Sequence, residues 1–272
     1  MTNKYSNKNI EKIKNSPYPR VLLNVCTHGT ERVGLKVAKH FKNFKPLRGV
    51  FIINIANEKA VARKKRFINQ DLNRVFPGKK NGGHEERLAY RLAPFIRAFD
   101  IVVDVHSTET GMASSLIITT FKSSMKPLIQ TINPKRIIYM KATKSNALIS
   151  EARVGIGFEY GKDKSLKTYK DTVLGTKRIL AYHKMIPSMG KMSTRRVEFY
   201  EVTNSIPKPE GFIVKKGVKN FSMIKKGAVI GYNPNTKEKI TAKESFYPFL
   251  FGKNRYKTIF GFSAQKTKNL DL

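Results

Sequence analysis

Acidic side chains, cysteine and long apolar runs are all scarce in this chain. Cys26 is the single cysteine, which excludes an intramolecular disulfide and any multi-cysteine zinc knuckle. Placed at the end of an apolar run, it reads as a small buried hydrophobe rather than a nucleophile. No apolar stretch approaches the ~18 residues of a membrane span, and the opening MTNKYSNKNIEKIKNSPYPR lacks the apolar centre of a signal peptide. The expectation is a cytoplasmic protein without a transmembrane segment. Only 19 Asp and Glu face 53 Lys and Arg, a formal net charge of +34. The basic residues are dispersed, RKKR at 63–66 being the longest run, and no aromatic-interleaved RNA motif accompanies them. Such a field gathers anions, whether nucleic-acid phosphates, anionic surfaces or small acidic substrates, but does not specify fold or chemistry. A lysine-biased proteome accounts for the charge equally well.

With 40% hydrophobic residues in 272, the chain can bury one large core and a small second domain. Apolar β-branched runs alternate with helical patterns through the first two thirds. RVLLNVC (20–26) and GVFIINIA (49–56) read as strands flanking a helix over 35–44, a βαβ unit. A helix over 82–99, bent at Pro94, precedes the buried strand DIVVDVH (100–106). Further strands are predicted at 115–120, 136–140 and 154–160, and a helix at 165–185. The sum is an α/β layered domain with a parallel or mixed sheet, over residues 1–188, its first 15 or so disordered by composition. From 189 to 272 the pattern shifts to short strands broken by Gly, Pro and Asn, a small C-terminal β-rich domain.

In an open α/β sheet, ligands bind beyond the carboxyl ends of the strands. His28 and Glu31 in THGTE follow the first predicted strand, and His106 closes DIVVDVH. Two histidines and one carboxylate suit a catalytic zinc, whose fourth position admits a water with a pKa near ~7. Asp104, two residues before His106, shares its side of the strand and can orient it. His40, His84 and His183 read as surface residues. The segment RFINQDLNRVFPG (66–78) brings Arg66, Asp71, Asn73 and Arg74 onto one loop, a guanidinium fork and an amide suited to a carboxylate. Glu159, at the end of the apolar VGIGFEYG, is a carboxylate whose desolvation would raise its pKa toward the range of a general base.

Together THGTE, QDLNR, VDVHST and GIGFEYG, in this order and spacing, resemble the succinylglutamate desuccinylase/aspartoacylase family over residues 20 to 252. The resemblance implies a zinc-carboxypeptidase-like fold whose C-terminal β domain covers the active site. It implies one zinc per chain on His28, Glu31 and His106, acid/base chemistry at Glu159, carbonyl polarisation by Arg66, and substrate orientation by Asn73 and Arg74. Asp71 is grouped with these substrate-holding residues, and the family's C-terminal tyrosine falls on Tyr247. The aspartoacylase arginine that holds a side-chain carboxylate falls on Ile149, with Arg153 the nearest alternative, so N-acetylaspartate and succinylglutamate are poorly matched. The expectation is a zinc-dependent deacylase cleaving the N-acyl amide of a small anionic acylated substrate. A carboxypeptidase-like metallopeptidase and a basic non-enzymatic anion or nucleic-acid binder are the alternatives, and the oligomeric state stays open.

Overall fold

The computed structural model describes residues 4–108, 112, 114–141, 146–190, 195–252 and 256–267. In chain order the helices are α1 (Asn7–Lys14), α2 (Val33–His40), α3 (Glu58–Ala62), α4 (His84–Arg97), α5 (Lys126–Ile132) and α6 (Leu166–Tyr182). The strands are β1 (Arg20–Val25), β2 (Val50–Ile55), β3 (Ile101–His106), β4 (Ser115–Ile118), β5 (Arg136–Met140) and β6 (Val154–Glu159). They continue as β7 (Glu198–Pro207), β8 (Ile213–Val214), β9 (Val229–Tyr232), β10 (Lys239–Thr241), β11 (Tyr247–Phe249) and β12 (Ile259–Thr267). None of the described helices is long and apolar enough to cross a membrane.

A nine-stranded mixed sheet in the order β11-β12-β7-β5-β4-β6-β3-β1-β2 organises the molecule. Strands β2, β1, β3 and β6 run parallel, β4 pairs antiparallel with β6, and β5 and β7 continue parallel to β4. Every residue of β3 is buried, as a central strand covered on both faces requires. Its side chains alternate between two cores. Val103 and Val105 join Leu23, Val25, Ile156 and Phe158 beneath α2, α5 and α6. Val102 joins Leu22 beneath α4 and the short 3-10 segment at Leu148–Glu151. The result is the layered architecture expected.

Three of the described helices, α1, α3 and α5, escape the sequence pattern. Within the start of the chain expected to be disordered, residues 7–14 instead form α1, where Ser6 accepts the Asn9 N–H as N-cap and Ile10 and Ile13 are buried against the α4 core. Two apolar residues among lysines are a weak local signal, and only the waiting groove makes them a face. The seven-residue α5 is likewise too short to announce itself, yet it buries Leu128, Ile129 and Ile132.

The C-terminal third is divided between two sheets. Strands β7, β12 and β11 extend the main sheet, while β8, β9 and β10 form a separate three-stranded antiparallel sheet. Its own apolar cluster, including Phe212, Ile230, Phe246 and Phe260, joins the small sheet to β12.

Candidate metal centre and active-site cleft

Strands β1, β3 and β6 end side by side, so the segments leaving them converge. After β1 the chain turns through THGTE, where the Gly29 N–H donates to the Arg66 carbonyl at 3.0 Å. A Cβ on Gly29 would collide with the backbone of Ala60, Val61 and Lys65. Glycine is therefore what lets this loop press against α3 and the Arg66 segment. Its neighbours His28 and Glu31 are 4% exposed, and His106, at the end of β3, is 6% exposed.

The potential ligand atoms of His28, Glu31 and His106 all lie within 4.8 Å of one another. Nδ1 of His28 lies 2.8 Å from one Glu31 carboxylate oxygen, and Nδ1 of His106 lies 3.0 Å from the other. The far nitrogen of each ring meets its own carboxylate: His28 Nε2 lies 3.0 Å from Asp71 Oδ1, and His106 Nε2 lies 2.7 Å from Asp104 Oδ2. Carboxylates behind both imidazoles are the usual support of metal-binding histidines, because they fix ring orientation and raise basicity.

Electrostatics favour a cation at this point. Burial alone would push the Glu31 carboxyl up, but the two imidazoles hold it well below its ordinary range. Burial alone would lower His106, yet Asp104 and Glu31 raise it well above an ordinary histidine, and Glu31 and Asp71 raise His28 in the same way. In a chain with only 19 acidic residues, Glu31, Asp71, Asp104 and Glu159 converge here. The donor set of two imidazoles and a carboxylate fits zinc, which takes nitrogen and oxygen ligands together.

Around the cluster opens a cleft lined by His28, Glu31, His106, Glu159, Arg66, Asn73 and Arg74. Glu159, 5% exposed, ends β6 in register with His106 on the neighbouring strand. Arg66 Nη2 lies 2.8 Å from His28 Nε2 and donates to Asp71 Oδ2 at 3.1 Å. Asp71 also accepts the Asn73 N–H at 2.9 Å, capping the 3-10 turn Leu72–Arg74. Its carboxylate is thus engaged by His28, Arg66 and Asn73, a supporting position rather than an open substrate contact.

Two sequence expectations find different places. Tyr247 does not line this cleft; it borders a separate depression with Glu198 and Lys266, its ring against Tyr200 at 5.4 Å. Tyr256 lines the cleft instead. Both follow the small sheet, and sequence order alone does not reveal which ring turns inward. Arg153 is at the far end of β6, its side chain 74% exposed and 3.8 Å from Asp100, so it does not replace the arginine absent at Ile149. Ile149 itself lines the cleft. Of the remaining histidines, His40 is exposed as expected, whereas His84 and His183 are half-buried. Cys26 is fully buried, and burial pushes its thiol up to about 12, as expected of an inert residue.

Sequence reasoning missed Glu85, which holds the Arg66–Arg74 segment in place. Fully buried in the first turn of α4, it accepts the N–H groups of Ile68, Asn69 and Gln70 at 2.7, 2.9 and 3.3 Å, and the Asn57 amide at 3.1 Å. An acidic residue in a first helical turn is ordinarily a solvated dipole partner, so HEER gave no local sign of this task.

A mixed α/β sheet with a His–Glu–His cluster beyond its strand ends defines the class: a zinc-carboxypeptidase-like fold with a candidate metal centre. The family model of the succinylglutamate desuccinylase/aspartoacylase catalytic domain matches residues 17–181, and the chain belongs to this family. It is 29% identical over 155 residues to a probable aspartoacylase of Acaryochloris marina, covering 50% of this chain and 52% of that one. A probable aspartoacylase of Nostoc sp. is 31% identical over 162 residues, covering 52% and 55%. The chain thus spans about half the length of these two relatives. Murine aminoacylase 3 shares the fold with a TM-score of 0.74 at 20% identity, over 93% of this chain and 97% of its own. A succinylglutamate desuccinylase/aspartoacylase of Rhodobacter sphaeroides does so with 0.74 at 15% identity, over 92% and 86%.

Proposed function

We propose that the protein is a zinc-dependent hydrolase that cleaves the N-acyl amide bond of a small carboxylate-bearing substrate such as an N-acyl amino acid. The observation that carries this reading is the convergence of His28, Glu31 and His106 with Glu159 and Arg66 on one cleft. One zinc per chain, held by those three ligands, would supply an acidified water and a Lewis acid for the carbonyl oxygen.

The chain's own residues divide the remaining work. Glu159 takes the proton of the attacking water and returns it to the leaving amine nitrogen, the two tasks of one general acid/base. Arg66 donates to the carbonyl oxygen as negative charge develops there. Arg74, with the Asn73 amide, holds the substrate carboxylate, a charge-assisted contact. Tyr256 adds a hydroxyl in the role expected of Tyr247. Asp71 is a positioning residue, aligning His28 and Arg66. The names of the relatives, probable aspartoacylases, support deacylation as the reaction class.

The test is the zinc content of the purified protein by elemental mass spectrometry, paired with amine release from a panel of N-acetyl amino acids. About one zinc per chain, lost in His106→Ala, together with turnover by the wild type, is the expected result. A protein that takes up no zinc when supplied with it refutes the reading. Release of amino acids from short peptides but not from acyl amino acids would transfer the site to peptidase chemistry.

A further inference from the structure

The cleft combines a charged cluster with an extensive apolar lining. Its charged and imidazole groups, His28, Glu31, Arg66, Arg74, His106 and Glu159, surround the reacting end. Besides Asn73, Thr119 and Tyr256, the rest of its described lining is apolar, chiefly Ile117, Met140, Ile149, Phe249 and Leu250. Thr119 accepts the Ser150 hydroxyl at 2.9 Å and keeps its own O–H as a donor, a small polar spot in this part of the lining.

Strand geometry explains how the apolar part is made. Gly157 precedes Glu159 by two residues and shares its face of β6, about 6–7 Å down the strand. It pairs with Ile117 of β4, and a Cβ here would lie 3.3 Å from the Ile117 Cβ and 3.9 Å from the Ile149 Cδ1. The absent side chain thus forms the floor, between two isoleucine walls. Asn73 accepts the Leu148 N–H at 2.8 Å, which locks the proposed carboxylate-holding pair to the segment bearing Ile149. A substrate carboxylate on Arg74 and a side chain against Ile149 and Gly157 would thus be accommodated within one cleft.

Resting on the deacylase reading, we propose that this pocket receives an uncharged, apolar amino-acid side chain, making the substrates N-acyl derivatives of residues such as leucine, methionine or phenylalanine. Among the described lining residues the guanidinium and ammonium groups are Arg66 and Arg74 alone, both already assigned to the carbonyl and the first carboxylate, so a second carboxylate would be left unpaired, which is unfavourable in a buried place. Ile149 and Gly157 are then specificity-determining: the first supplies apolar wall, the second supplies room.

The experiment compares kcat/KM of the zinc-loaded full chain on N-acetylleucine, N-acetylmethionine and N-acetylphenylalanine with N-acetylaspartate and N-acetylglutamate. A preference of ~100-fold or more for the apolar set is expected from pocket complementarity. In Gly157→Ala, the ratio of kcat/KM for N-acetylphenylalanine over N-acetylalanine should fall by ~10-fold or more. Being a ratio within one preparation, it is independent of the folded fraction. Turnover with the acidic substrates preferred or equal overturns the side-chain assignment while leaving the deacylase reading intact. So does indifference to the side chain with preference for longer acyl groups. Absence of turnover on every acyl amino acid overturns both.

Discussion

At the scale of single residues, the proposed mechanism separates metal holding, by His28, Glu31 and His106, from proton transfer, by Glu159. Glu159 lies outside the ligand set but on the same cleft. Glu159→Gln is expected to retain zinc and to lose ~10²- to 10⁴-fold in kcat, the usual contribution of a general acid/base. Parallel elemental analysis and kinetics check this, and unchanged turnover would remove Glu159 from the mechanism. Asp71 and Asp104 stand behind the two histidines at 3.0 and 2.7 Å. Asp104→Asn should weaken zinc binding ~10- to 100-fold, measured by competition with a chelating dye. An unaltered affinity would show that the ring of His106 is held by packing alone.

At the scale of elements, two buried polar devices connect the site to its scaffold. Asn24, Asn54 and Asp104 occupy one rung across β2, β1 and β3. Asn54 donates to Asn24 at 2.7 Å and Asn24 to Asp104 at 2.7 Å, while Tyr5 donates to Asn54 at 2.9 Å. The Thr27 hydroxyl completes the set on Asp104 at 2.7 Å. The second device is Glu85, whose carboxyl burial would push up but whose backbone N–H donors hold below its ordinary value. Glu85→Ala would leave three part-buried backbone donors without their acceptor, each costing up to roughly 1–3 kcal/mol. It should therefore lower the melting temperature and, by loosening the Arg66–Arg74 segment, reduce kcat/KM more than zinc content. A variant that melts lower with intact kinetics would confine Glu85 to stability.

At the scale of the whole molecule, charge and acid sensitivity dominate. Arg20 closes two bonds on Asp100 through Nε at 2.9 Å and Nη2 at 2.7 Å, joining the start of β1 to the turn before β3. Burial alone would raise Asp100, but Arg20 holds it below the usual carboxylate range. A carboxyl lowered by folding contributes stability above its unfolded pKa of about 3.9, and that contribution is lost as pH falls through the folded value. Asp100→Asn should therefore be less stable than wild type at pH 7, with the difference shrinking below about pH 4. A gap independent of pH in urea unfolding would show the carboxylate charge to be irrelevant. The net charge of +34 predicts sequence-indifferent attachment to polyanions that falls steeply with added salt.

Legibility varied with the range of the interaction responsible. Strand β3 was readable because a strand covered on both faces needs apolar residues throughout, and His106 stood out as the polar group ending it. His28, Glu31 and Glu159 followed from their places at strand ends. Helix α1 and Glu85 were not readable, because their partners lie far along the chain: α1 packs on the α4 core, and Glu85 collects amides from 68 to 70. The inward tyrosine was likewise undecided by order, since Tyr247 and Tyr256 differ in where the chain carries them after the small sheet.

The sequence by itself determined the alternation of elements and the residue types and strand-end positions of the candidate metal site, since these depend on local periodicity and residue chemistry. Only the tertiary structure decided that β7, β11 and β12 extend the main sheet, that Asp71 meets His28, and that Ile117, Met140, Phe249 and Leu250 line one cleft with Glu159. The physical reason is that a pocket's polarity is a property of surfaces brought together from β4, β5, β6 and the chain after β10, and no local pattern records which of them will meet.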